Sequence, residues 1–198
     1  CIRDRFYPAN DDFLKRHHDT NALHYWANWC LCNIAAKMAI GIVTDRRDIY
    51  NEGIDHLQTG DTNGRLRRAI YHDYAPDYNF AQWQESGRDQ GHTLMCVGLM
   101  GVICQLAWSQ GDDFFAYDDN LFMRACEYAA CCNYTNETVP YTTYIWQKQS
   151  QWGYPIPEEQ TTLGGGKWIK RAIWALPYYH YKGIKNISDD NLKYTKIA

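Results

Sequence analysis

The segment QWQESGRDQGHT (residues 82–93) gathers the groups in this chain best able to do chemistry: Gln84, Glu85, Arg88, Asp89 and His92. A guanidinium pairs with anions, and carboxylates and an imidazole move protons. These groups stand directly before a long apolar stretch, so they fall at the start of a helix expected over about 87–110. A helix N-terminus adds partial positive charge there, which suits an anion. On that helix Arg88, His92, Met95, Leu99, Val102 and Leu106 are spaced 4, 3, 4, 3, 4 and share one face. The apolar part of the face is expected in the core, and its charged start on the floor of a cleft. The alternative is a buried network in which Glu85 or Asp89 simply neutralises Arg88.

The elements that must position this segment read as helices. Asp19, Thr20 or Asn21 can cap a helix through ALHYWANWCLCNIAAKMAIGIV, and Asp45 can cap RRDIYNEGIDHLQ, which Gly60 ends. RLRRAIYHDY follows a Gly/Asn-rich turn and is broken by Pro76. Asp118, Asp119 and Asn120 can cap a helix through LFMRACEYAACC. Residues 133–166 are polar, aromatic and punctuated by Pro and Gly, and read as one long loop. A last helix, KWIKRAIWAL, is expected to end at Pro177. No stretch alternates as a strand, so the expected fold is all-α, built from antiparallel helix pairs in a single domain over 1–198.

Composition bounds the function. With 198 residues and 45% hydrophobic content the chain can bury a sizeable core. A net charge of -3 gives no electrostatic reason to expect a nucleic-acid partner. No uninterrupted apolar run reaches the ~20 residues that span a bilayer, so no membrane association is expected. The chain opens on CIRDR without a signal peptide, as a processed N-terminus would. Eight cysteines, among them Cys30, Cys32, Cys131 and Cys132, match no zinc spacing, and neither a metal nor another cofactor is expected. Cys96 and Cys104 on one helix would lie ~12 Å apart, too far for a mutual disulfide, so any bridges join different helices. Buried free thiols in a cytosolic protein are the alternative. Sequons at Asn133, Asn136 and Asn186 favour a secreted, disulfide-bearing glycoprotein.

QWQESGRDQGHT, with HYWANWCLCNIAA before it and AWSQGDDFFAYDDNLFMRACEYAA after it, resembles the alginate-lyase-domain family of polysaccharide lyases. The likeness covers about 24–133 and extends weakly into the expected last helix. It implies an (α/α) toroid with a uronate-binding cleft and β-elimination of a polyuronate such as alginate or glucuronan. The family domain is longer, so the resemblance implies a C-terminal portion, with a missing N-terminal half or another chain completing the toroid. Cys30 stands where the family leads one to expect an acidic residue.

β-Elimination needs a neutraliser for the uronate carboxylate, a base for the C5 proton and an acid for the departing oxygen. Arg88 and His92 supply the cationic setting, Asn28 is a candidate neutraliser and Trp29 a candidate sugar platform. Gln84 and Glu85 stand beside them as substrate contacts. Tyrosine can serve as base and acid where nearby cations lower its pKa. Tyr71 is preferred because RLRRAIYHDY sets it among Arg65, Arg67, Arg68 and His72, with Tyr74 and Tyr78 as near alternatives. The arginine cluster is either a solvated face or a contact for the polyanion. The functional expectation is a secreted polyuronate lyase; the alternative is a relative without catalysis that binds glycans or serves a structural role.

Overall fold

A computed structural model describes residues 2–198. Its centre is made by the most apolar stretches, α2 (Ala27–Val43) and α5 (Gln90–Ser109), which pack side by side. α3 (Arg47–Thr59) returns along α2 after a short turn. Two glycines let these backbones approach: a Cβ on Gly41 would sit 2.5 Å from Tyr50 N, and one on Gly53 2.6 Å from Met38 Cγ. Both pairs have the same sum of residue numbers, which is the signature of an antiparallel pair. α1 (Tyr7–Arg16) packs on α2, and α6 (Tyr117–Tyr134) packs on α5. Leu31, Ile34 and Met38 of α2, Leu94, Val97 and Met100 of α5, and Phe122 and Ala125 of α6 form one buried core. Lys37 is buried in α2, yet its ammonium meets Asp11 Oδ1 at 2.6 Å and Glu52 Oε2 at 2.5 Å, which ties α1 and α3 to α2. Such pairing is what makes a buried charge tolerable.

The fold is not all-α. The chain is 55% helical and also contains two antiparallel sheets of two strands each, a mixed α/β architecture. The first sheet replaces most of the helix expected in RLRRAIYHDY. Only α4 (Leu66–Ala69) is helical, and β1 (Ile70–Asp73) then pairs with β2 (Ala81–Trp83). The strand wins because pairing buries Trp83 fully, and its indole N–H donates to Ala125 O at 2.9 Å. Behind it, Arg124 of α6 holds Asp73 through Nε and Nη2 at 2.9 and 2.7 Å.

The second sheet lies inside the segment expected as a loop over 133–166. β3 (Tyr144–Gln149) pairs with β4 (Pro155–Gln160), in register from Tyr144 with Gln160 to Gln149 with Pro155. Prolines at 155 and 157 disguise β4 in the sequence; an edge strand tolerates them because unpaired amides face outward. Trp146 anchors the hairpin by donating its indole N–H to His24 O at 2.7 Å.

The last helix is also much shorter than expected: α7 spans only Ala175–Tyr179. Residues 167–174 are irregular because the end of α6 takes their backbone groups. Trp168 N donates to Asn133 O at 2.8 Å, Ile169 N to Asn133 Oδ1 at 3.1 Å, and Asn133 Nδ2 to Ile169 O at 3.0 Å. The two side-chain hydrogen bonds also remove Asn133 as a glycosylation site, since its amide is fully buried and engaged. Asn136 and Asn186 are exposed.

α5 is long and apolar enough to cross a membrane by length and composition, although the sequence shows no unbroken apolar run of that length. Half of its apolar window is buried inside the protein, as in the core helix of a globular fold.

The expected inter-helix disulfides are absent among the described residues, where Cys30, Cys32, Cys96, Cys104, Cys126, Cys131 and Cys132 are free. Cys1 lies outside the described residues. Burial pushes the Cys30 thiol up to about 11 and raises Cys96, Cys104, Cys126, Cys131 and Cys132 as well. Cys32 alone of these seven is exposed. Alkylation of the native, unreduced protein should therefore label Cys32 first, and denaturation should expose the other six to the reagent. Peptide mass spectrometry reads both steps; a disulfide between any two of the seven would contradict the structure.

Candidate functional site

Two helix starts meet at the site, and the polar string QWQESGRDQGHT joins them. α2 begins at Ala27 with no side-chain cap of its own. Its first amides are satisfied from the distant string: Ala27 N donates to Gln84 Oε1 at 3.0 Å and Asn28 N to Glu85 Oε1 at 2.7 Å. These are the orphan donors that every helix N-terminus leaves. Gln84–Gly87 forms a 3-10 turn, and Asp89 then caps α5 by accepting from His92 N at 2.8 Å. Arg88 thus lies in the link before α5 rather than on the helix, where the spacing argument put it.

Electrostatics follow from this arrangement. Burial raises the Glu85 pKa although the Asn28 amide, Arg88 and the Cys96 thiol all favour its charge. Burial also acts to raise Asp89, but the His92 amide, the His92 ring and Arg88 outweigh it and hold Asp89 below the ordinary carboxylate range. Arg88 pairs with Glu85 Oε2 at 3.2 Å and Asp89 Oδ2 at 3.8 Å, and its guanidinium lies 5.3 Å from the Trp26 ring centroid. His92 Nδ1 lies 2.6 Å from Asp89 Oδ2. That contact places the proton of the neutral ring on Nδ1 and leaves Nε2 with its lone pair.

Arg88, His92, Asn28 and Trp29 line one open cavity of about 740 Å³ between the starts of α2 and α5. Met95, Leu99, Cys32 and Asn33 extend its wall. Asn28 Oδ1 is buried and has no hydrogen-bond partner, although the residue lines the cavity. Trp29 is half exposed, as a ring that receives a ligand must be. The apolar face beyond His92 is not core: Met95 and Val102 are exposed and Leu99 is only partly buried. The core side of α5 is instead Leu94, Val97, Met100, Ile103 and Cys104.

The structure does not bring the remaining sequence candidates to this cavity. Tyr71 projects from β1, donates its hydroxyl to Thr143 O at 3.0 Å, and packs edge-on against Tyr144 with centroids 5.0 Å apart. Tyr74 donates to Gln82 Oε1 at 2.6 Å, and burial raises its pKa, the reverse of what a proton carrier needs. Tyr78 and His72 are exposed. Arg67 pairs with Asp118 and Asp73, and Arg68 donates to Asp61 O, so these arginines hold the fold. Arg65 has a buried Nε without a partner and does not line the cavity. Gln84 and Glu85 are fully buried behind it as helix caps rather than substrate contacts.

One cavity residue had no signal in the sequence. Arg171 lines the wall from a segment that reads as a helix and is not one. In comparisons with known proteins, no family model matches this chain, and no curated protein or solved structure matches it either.

Proposed function

We propose that the protein is a polyuronate lyase acting by β-elimination, with an anionic polysaccharide as substrate. The observation that carries this reading is that one cavity joins Asn28 and Trp29 of α2 to Arg88 and His92, some sixty residues away. A sugar ring on Trp29 directs its carboxylate toward Arg88 and Asn28, which stabilise the charge that builds as the C5 proton leaves. His92 Nε2 takes that proton, with Asp89 orienting the ring and stabilising its charged form. The C5–H electrons form the C4–C5 double bond, and the C4–O bond breaks toward the departing sugar. The imidazolium then returns its proton to that oxygen. His92 replaces Tyr71 as proton carrier because no tyrosine lines the cavity.

The position of Tyr71 favours a second reading, a glycan-binding module without catalysis. Incubation with alginate and with glucuronan discriminates the two. Growth of ultraviolet absorbance from unsaturated ends is the result expected of the lyase; saturable binding with no such product favours the binding module. Exposed sequons at Asn136 and Asn186 are compatible with a secreted protein.

A further inference from the structure

Resting on the polyuronate reading above, we propose that Arg171 holds the carboxylate of a second uronate, one ring along from the unit on which His92 acts. Arg171 reaches the cavity on a strap, residues 163–174, which is clamped along α5. At one end Gly164 N donates to Ser86 O at 2.8 Å and Gln90 N donates to Gly165 O at 2.9 Å. A Cβ on Gly164 would stand 2.6 Å from the Arg88 carbonyl carbon, so only glycine fits there. At the other end Ile173 seats on Gly98, with its Cγ2 3.0 Å from where a Cβ would be. Arg171 lies between these anchors, on the cavity wall with Ile173.

Charge pairing singles it out. Arg88 already pairs with Glu85 and Asp89, and His92 with Asp89. Among the described residues Arg171 is exposed and has no ion pair or hydrogen bond through its guanidinium. A ligand carboxylate therefore pairs with Arg171 without displacing a protein carboxylate, whereas at Arg88 it competes with Glu85. Asn28 lines the same cavity, and its Oδ1 is buried without a hydrogen-bond partner. A guanidinium holds a carboxylate through two parallel hydrogen bonds and gains little from a neutral sugar, so Arg171 selects for acidic neighbours. It is a positioning residue, and the reacting unit lies elsewhere in the cavity.

The test is calorimetric titration of the full chain, carrying His92→Gln so that the ligand is not turned over, with glucuronate and mannuronate tetrasaccharides and with their carboxyl-reduced, neutral counterparts. Arg171→Gln should weaken binding of the preferred acidic tetrasaccharide about tenfold, which corresponds to about 1.4 kcal/mol, and leave the neutral ones unchanged. Arg171→Lys should restore part of the loss. In turnover, with His92 intact, KM should rise by a similar factor while kcat stays within about twofold. Affinity unchanged by Arg171→Gln overturns the second subsite and leaves the polyuronate reading standing. Failure of the His92→Gln protein with Arg171 in place to bind either acidic tetrasaccharide overturns both. Because Arg171 is exposed and unpaired, the variant should melt with the wild type, and a melting curve checks this.

Discussion

His92→Gln should lower turnover on a polyuronate by about 10³-fold, within the range for removing a general acid–base group. Glutamine keeps much of the reach of histidine and can still bond Asp89, so α5 stays capped and the cavity keeps its shape. It has no basic nitrogen to accept the C5 proton. KM should change little, because Arg88, Arg171 and Trp29 remain to hold the chain. Steady-state kinetics on wild type and variant provide the check. A His92→Gln protein with turnover near that of the wild type would remove His92 from the mechanism and return the role to a tyrosine.

Glu85→Ala should be the most destabilising single change at the site, by roughly 3 kcal/mol or a fall in Tm of about 10 °C. The change strands the buried Asn28 amide, which donates to Glu85 at 2.7 Å, and leaves Arg88 only one ion pair, the 3.8 Å contact with Asp89. Glu85→Gln separates charge from hydrogen bonding, since its amide oxygen can still accept from Asn28. Burial raises the Glu85 pKa, so the folded state binds this proton more tightly than the unfolded state does. Its contribution to stability is therefore full below about pH 4.5, the unfolded value, and is lost as pH rises through the raised folded value. Because other carboxylates titrate nearby, the readout is the difference between the two proteins in thermal melts: as pH rises through that range the wild type should lose stability relative to Glu85→Gln. A Glu85→Ala protein melting with the wild type would contradict the capping role.

The helices α2, α3 and α5 were legible because long apolar runs agree with tertiary packing. Their expected caps were not: α2 starts at Ala27, well past Asp19, Thr20 and Asn21, and neither α2 nor α3 has a side-chain cap of its own. The cap at Asp89 was not anticipated: the segment reads as a helix from about 87, with Asp89 as a partner for Arg88, whereas its side chain accepts from the His92 amide three residues on. Gln84 and Glu85 carried a signal of importance without its meaning. Their partners, the first amides of α2, are 57 positions away, and spacing along the chain cannot show which helix a carboxylate caps. The β3–β4 hairpin was hidden by its prolines. The strap misled through periodicity: KWIKRAIWAL has helical spacing, but Asn133 takes the backbone groups that a helix would use on itself. Arg171 consequently had no place in a site derived from sequence, and Tyr71 had one that depended on a helix which became a strand.

The most direct measurement of the central claim is the mass of the fragments released from a size-pure glucuronate or mannuronate oligosaccharide. Elimination adds no atoms, so the fragment masses should sum to that of the parent, with the double bond on the new non-reducing end. Fragments that together exceed the parent by one water would show hydrolysis, and an intact oligosaccharide after prolonged incubation would show no cleavage; either result contradicts the lyase.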